Sequence, residues 1–248
     1  FTGNSYHFGC YGTAYEIYNQ LQDRGYATNY VGVTVTHNLP CFPNTPEEFF
    51  NQTFAEKFLK ENFPIANAIS EADIVVVNGE GSLHRNSKGA ISLLYMIYFA
   101  SALLNKDVHL INHSCYPSGD TSISPYDEWY KQALSFAKSI AVREVLSERF
   151  YKDAGLSFQS AFDCLPLYIK RSGLVDLRTK GFNKNKILIT GGVKFETNTI
   201  ATIVQTLKNY YPNAEFEYLI GAKTNPDSAD NQIFNAFKNA GLEIKLHI

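Results

Sequence analysis

Glu80, Ser82, His84 and Arg85 fall within six consecutive positions, in the stretch Asn78-Gly79-Glu80-Gly81-Ser82-Leu83-His84-Arg85. A carboxyl and an imidazole can exchange a proton with a substrate hydroxyl, and a guanidinium can grip a carboxylate or phosphate through paired N–H donors. Glycines on either side of the acid let backbone approach a ligand closely. The run before them, Ile74 to Val77, is short, apolar and β-branched without alternation, as in a central strand of a parallel sheet covered on both faces. In doubly wound sheets, ligands bind in the crevice beyond the carboxyl ends of the strands. The cluster therefore sits where a site belongs. The plainer alternative is a glycine turn whose Glu and His satisfy local backbone groups.

Other candidates fall at similar places. A second buried run, Val108 to Asn112, ends in His113-Ser114-Cys115, which puts His113 where a ligand would lie, while His109 is expected to face a neighbouring layer. Arg143 closes a strand at Ser139–Arg143 and is a candidate anion clamp; an ion pair with Glu144 or Glu148 is the alternative. Near the start, Asn4 to Gly12 reads as a loop holding His7, Gly9, Cys10 and Gly12. Thr13 is expected to cap a helix over Ala14–Arg24, so that free amides could meet an anion there. His7 is a candidate catalytic imidazole, and a solvated loop histidine is its alternative. Gly191 and Gly192, after a strand at Lys186–Thr190 and beside Lys194, could admit a phosphate or nucleotide or merely make the turn. The match to a dinucleotide fingerprint is poor. No Asp-x-Asp pair stands out, so no obligatory metal and no cofactor are expected.

The elements that must carry these groups alternate between strand and helix. A strand is expected at Tyr30–Val35, followed by a proline-rich loop from His37 to Pro46. Thr45-Pro46-Glu47-Glu48 starts a helix with a threonine cap, an early proline and two acids suited to its dipole. Its Phe49, Phe50, Phe54 and Phe58 are read as core or interface. Helices follow at Ile65–Glu71, Ile91–Leu104, Pro125–Lys138 and from Ser147 to Gly155, with a short strand at Phe158–Ala161. The charged, glycine-dotted segment 171–185 reads as a linker. Beyond it come helices at Asn198–Tyr210 and Asp227–Asn239 and strands at Glu215–Ile220 and Glu243–Ile248. The expected fold class is α/β: a Rossmann-like domain over 1–170 and a second, truncated one over 186–248, facing a cleft in a GT-B-like arrangement. Because the chain opens in a turn and stops on a strand, it reads as a fragment at both ends.

Composition narrows the partners. With 248 residues, a net charge of −2 and no basic run, the chain lacks the footprint of a nucleic-acid binder. The 4 cysteines are scattered and unpaired in spacing, as expected of reduced thiols in a cytoplasmic protein. No apolar run is long enough for a transmembrane segment, and no secretory signal is evident. Peripheral association with the inner face of a membrane stays open.

The turn Asn78-Gly79-Glu80-Gly81-Ser82-Leu83-His84 resembles the N-G-E-G-[ST]-[LI]-H element of the polysaccharide pyruvyl transferase family. Arg143-Glu144 with Ser147 is similar to that family's R-E-x-x-S element, and Asp163 stands where the family has an aspartate before its second domain. His7-Phe8-Gly9-Cys10 departs from the Gly-Asp commoner in its first loop. The resemblance implies transfer of a pyruvyl group from phosphoenolpyruvate to sugar hydroxyls of a surface polysaccharide, with a glycan acceptor and a small-molecule donor as partners. Taken with these readings of the residues, Glu80, His84 and His7 are the catalytic candidates, and Asn78, Gly79, Gly81, Ser82, Arg85, His113, Arg143 and Asp163 the substrate-binding ones. Gly191, Gly192 and Lys194 would serve the donor. Two alternatives stand beside it: a GT-B glycosyltransferase using a sugar nucleotide, and a glycan-binding module that has lost the chemistry.

Overall fold

The computed structural model describes residues 8–32, 35–36, 38–118, 125–173, 185–191, 197–220 and 229–247. The chain divides into two compact units, one of residues 13–168 and one of residues 1–12 with 169–248.

In chain order the larger unit receives helix α1 (Phe8–Asp23), α2 (Pro46–Phe49), α3 (Gln52–Glu61) and α4 (Phe63–Glu71). Strand β1 (Ile74–His84) leads to α5 (Lys88–Tyr98), which runs on as a π-helical turn over Phe99–Leu103. Then come β2 (Asp107–Tyr116), α6 (Pro125–Leu134), β3 (Ser139–Val142), α7 (Val145–Asp153), β4 (Gln159–Ser160) and α8 (Leu165–Ser172). The four strands are parallel and lie in the order β1-β2-β3-β4. Parallel neighbours need crossover connections, and the intervening helices supply them. Every residue of α5 from Ala90 to Ile97 is buried, which explains its apolar character all round. The ring of Tyr95 meets Phe49 at 5.2 Å, Phe54 at 5.4 Å and Phe58 at 4.7 Å between centroids. These phenylalanines are core.

The smaller unit has its own parallel sheet, β5 (Lys186–Thr190), β6 (Glu215–Leu219) and β7 (Ile244–His247), in that order. Helices α9 (Thr197–Tyr210) and α10 (Ala229–Asn239) connect them. Ile200, Val204, Tyr218, Ile233 and Phe237 form a separate core. Both units are therefore Rossmann-like α/β arrangements built on parallel sheets.

Several expectations are corrected. The glycines at 79 and 81 do not end β1, which stays paired to β2 through His84 and Tyr116. The opening loop is helical from Phe8 on, so Gly9, Cys10 and Gly12 lie inside α1 and Thr13 is not its cap. A helical glycine costs only about 1 kcal/mol relative to alanine, too little to stop a packed helix. Residues 30–32 are not in a strand and 35–36 are helical; Tyr30 and Val31 are exposed, so no apolar layer covers that alternation. The phenylalanine helix is broken in two because the Asn51 side chain accepts a hydrogen bond from the Phe54 N–H and starts a new helix. Helix α8, whose first turn is fixed by the Asp163 carboxylate accepting from the Leu165 N–H at 2.8 Å, runs two residues into the expected linker.

Candidate functional site

The backbone at the carboxyl end of β1 (Ile74–His84) is irregular. Glu80 pairs with His113 and Leu83 with Cys115, so β1 carries one residue more than β2 (Asp107–Tyr116) across this interval. Such a bulge re-aims side chains at a strand end. Glu80, Arg85 and Asn112 have positive φ, of 42°, 53° and 48°, a left-handed conformation that costs a non-glycine residue roughly 1–3 kcal/mol. Three strained residues at neighbouring strand ends mark the place where the fold holds side chains in imposed positions.

Around Glu80 the strain coincides with a hydrogen-bonded relay. Asn112 Nδ2 donates to Asn78 Oδ1 at 3.0 Å, and Asn78 Nδ2 donates to Glu80 Oε1 at 3.0 Å. The Thr13 hydroxyl donates to the same Oε1 at 2.7 Å. One carboxyl oxygen is thus clamped by two donors, while Oε2 makes no hydrogen bond among the described residues. Gly79 is required: a Cβ there would lie 2.7 Å from His113 Cβ. Gly81 is not required for packing, since a Cβ there meets nothing within 4 Å. Its bareness leaves the approach to Glu80 open. Ser82, half-buried, makes no hydrogen bond among the described residues.

His84 Nδ1 lies 2.8 Å from the Gly81 carbonyl. A carbonyl only accepts, so neutral His84 carries its proton on Nδ1 and presents the Nε2 lone pair. Its ring stacks on Tyr116 at 6.0 Å. Arg85 has an exposed side chain, and its backbone is pinned by an N–H donated to Pro117 O and a C=O accepting from the Tyr130 hydroxyl.

Arg143 and Asp163 meet each other. Arg143 Nη1 donates to Asp163 Oδ2 at 2.6 Å, and its Nε reaches Ser114 Oγ at 3.4 Å. Glu144 is not its partner; it caps α7 (Val145–Asp153), accepting from the N–H groups of Leu146 and Ser147. The Ser147 hydroxyl donates to Glu144 and accepts from the Cys115 N–H at 2.6 Å, tying α7 to β2. Glu148 is taken by Ser160 and Lys152. Cys164 lies among these groups: its Sγ is 3.6 Å from the Thr13 carbonyl. Burial first, then the charges of Asp163, Glu80 and Glu16, push its thiol up to about 11, which favours the protonated form.

Other expected residues are engaged in packing. His113 is fully buried and bonded through Nε2 to the Tyr151 hydroxyl at 2.7 Å, so it supports Gly79 from below and offers no surface to a ligand. Burial, with a smaller effect of the Arg143 charge, pushes it down to about 4. Gly191 belongs to the smaller unit, where a Cβ would come within 2.1 Å of the Tyr218 hydroxyl; that glycine is needed for packing in its own core. His7, Gly192 and Lys194 fall outside the described residues. Thr13 and Asn112 were missed by sequence reasoning. By sequence Thr13 reads as a helix cap, and an asparagine at a strand end carries no signal of its own.

Parallel sheets, helical crossovers and a clamped carboxyl, an oriented imidazole and a guanidinium at the strand ends define a Rossmann-like α/β protein with a polar site at the position such sheets use for ligands. The family model described as polysaccharide pyruvyl transferase matches residues 8–187. The chain belongs to that family, and it is a transferase that acts on polysaccharides. No curated protein and no solved structure matches the chain.

Proposed function

We propose that the chain transfers a pyruvyl group from phosphoenolpyruvate to a sugar of a cell-surface polysaccharide, forming a cyclic ketal. The observation that carries this reading is the Glu80 carboxyl, clamped on one oxygen by Thr13 and Asn78 and open on the other. In the reaction a sugar hydroxyl adds to C2 of the enol, its proton passes to a base, and the methylene takes up a proton to become methyl. A second hydroxyl of the same sugar then displaces phosphate from C2, closing the ketal. Glu80 Oε2 receives the hydroxyl proton, and His84 Nε2 is placed to bind or deprotonate the second hydroxyl. Arg85 and the remaining N–H groups of Arg143 hold the donor's carboxylate and phosphate.

In this reading residues 1–170 form the acceptor half of a GT-B-like transferase and 186–248 part of the donor half, with Gly191, Gly192 and Lys194 toward the donor. No helix among the described residues is long and apolar enough to cross a membrane; the reading places the enzyme in the cytoplasm, at the inner face of the membrane. The test is incubation with phosphoenolpyruvate and a glycan acceptor, following phosphate release and the methyl resonance of the ketal. Release of nucleotide from a sugar nucleotide, with phosphoenolpyruvate untouched, would replace this donor by the other.

A further inference from the structure

We infer that a recess lined by Phe42, Asn44, Asn86, Lys88, Tyr126 and Trp129 is a subsite for an acidic sugar residue of the acceptor chain, an assignment that rests on the polysaccharide-directed reading above. The recess has a volume of about 560 Å³, within the roughly 300–1,000 Å³ typical of small-ligand sites. Its wall combines three aromatic rings with two side-chain amides and one ammonium. That mixture suits a sugar, whose C–H faces pack on rings while its edge hydroxyls bond to amides.

Charge refines the class. Lys88 Nζ lies 4.7 Å from the centroid of the Phe42 ring, and no carboxylate pairs with it among the described residues. Lys131, Lys138 and Lys152 of the same unit pair with Glu128, Asp107 and Glu148, whereas Lys88 is left to the ring. Glu48, beside the recess wall, accepts from the Asn44 N–H at 2.8 Å and from Asn44 Nδ2 at 3.5 Å. A ring face attracts a cation by only about 0.5–1 kcal/mol at an exposed site, so the ammonium keeps most of its positive charge for a ligand. One cation matches one carboxylate. A diphosphate would call for more cations or for a run of free amides, and Pro43 and Pro46 in this wall have no N–H to give.

The recess is also continuous with the candidate site through the chain itself. Asn86 and Lys88 directly follow His84 and Arg85, and Ser87 Oγ donates to the His84 carbonyl at 3.4 Å. Trp129 neighbours Tyr130, whose hydroxyl holds the Arg85 carbonyl at 2.6 Å. The segment that presents His84 and Arg85 is therefore one wall of the recess. An acidic sugar held there fixes the register of a repeating polysaccharide relative to the reacting residue.

Trp129 is the only tryptophan in the chain, and because it lines the recess its fluorescence is a probe of binding there. Titration of the full chain with trigalacturonate, without donor, should give a saturable emission change, with neutral maltotriose binding about tenfold more weakly. Lys88→Gln should remove that preference, weakening trigalacturonate about tenfold and leaving maltotriose unchanged; Lys88 is exposed, so folding is not at stake. Absence of a saturable change with trigalacturonate, equal affinity for the two sugars, undiminished binding by Lys88→Gln, or an equal response to inorganic phosphate would each overturn the assignment. Because no donor is present, this titration is independent of the reaction: trigalacturonate binding alongside failure of the separate incubation with phosphoenolpyruvate and a glycan acceptor would sink the donor reading and leave this subsite standing.

Discussion

At the residue scale, Glu80 is held by partners that a glutamine would also satisfy. The amide oxygen of Glu80→Gln can accept from both Thr13 and Asn78, so the fold and the strained backbone survive while the proton acceptor is lost. Turnover should fall by about 10²–10⁴-fold, read as phosphate release, with an unchanged circular-dichroism melt; undiminished turnover would remove Glu80 from the chemistry. The two glycines beside it separate in the same way. Gly79→Ala forces a Cβ against His113 at 2.7 Å and Leu110 at 3.2 Å, which should cost about 1–3 kcal/mol in urea unfolding. Gly81→Ala enters open space and should leave stability within about 0.5 kcal/mol. Both glycines look alike in the sequence, because neither the His113 side chain beneath one nor the void beside the other is a local property. The acid and imidazole were legible from type and spacing. Thr13 and Asn112 were not, since Thr13 reaches Glu80 from 67 positions away and Asn112 reaches Asn78 from 34.

At the scale of elements, the Arg143-Glu144 and Ser147 segment divides its labour. Arg143 pairs with Asp163, whereas Glu144 and Ser147 secure the start of α7 (Val145–Asp153) and its attachment to β2 (Asp107–Tyr116). Glu144→Ala removes the acceptor for two helical N–H groups and should lower stability by about 0.5–2 kcal/mol, with Glu144→Asp recovering most of it. Ser147→Ala leaves the buried Cys115 N–H without its acceptor and should cost about 1–3 kcal/mol. Thermal unfolding of the three variants measures this; equal melting temperatures would show that the segment is not a structural tie. The same scale shows what the sequence made legible. Periodicity located the strands of both sheets and the helices between them, because apolar stripes and β-branched runs are local. The extension of β1 through Asn78–His84 was hidden, since pairing with β2 and a bulge overrode the glycine signal. Tyr30–Val35 failed for the converse reason: alternation makes a strand only where another layer covers its apolar side.

For the whole molecule, the buried His113 links stability to pH. An unfolded histidine titrates near 6.5, whereas His113 in the folded chain is pushed down to about 4 by burial. Between these values the unfolded state binds a proton that the folded state refuses. Stability is therefore fully present above about pH 6.5 and declines as pH falls toward about 4, by at most about 3 kcal/mol from this group. Carboxylates titrate in the same window, so the comparison is with His113→Gln, which keeps a bonding partner for Tyr151 and cannot become charged. The stability difference between the two proteins should narrow by up to that amount from pH 7 to pH 4, and parallel curves would show that His113 does not govern acid unfolding. The consequence reaches the site because Gly79 rests directly on this ring. A charged imidazole there must seek water and move away from Arg143, disturbing the backbone that carries Asn78 and Glu80. Transfer activity should consequently decline over the same acid range as stability, and the decline should be shallower in His113→Gln than in the unaltered chain.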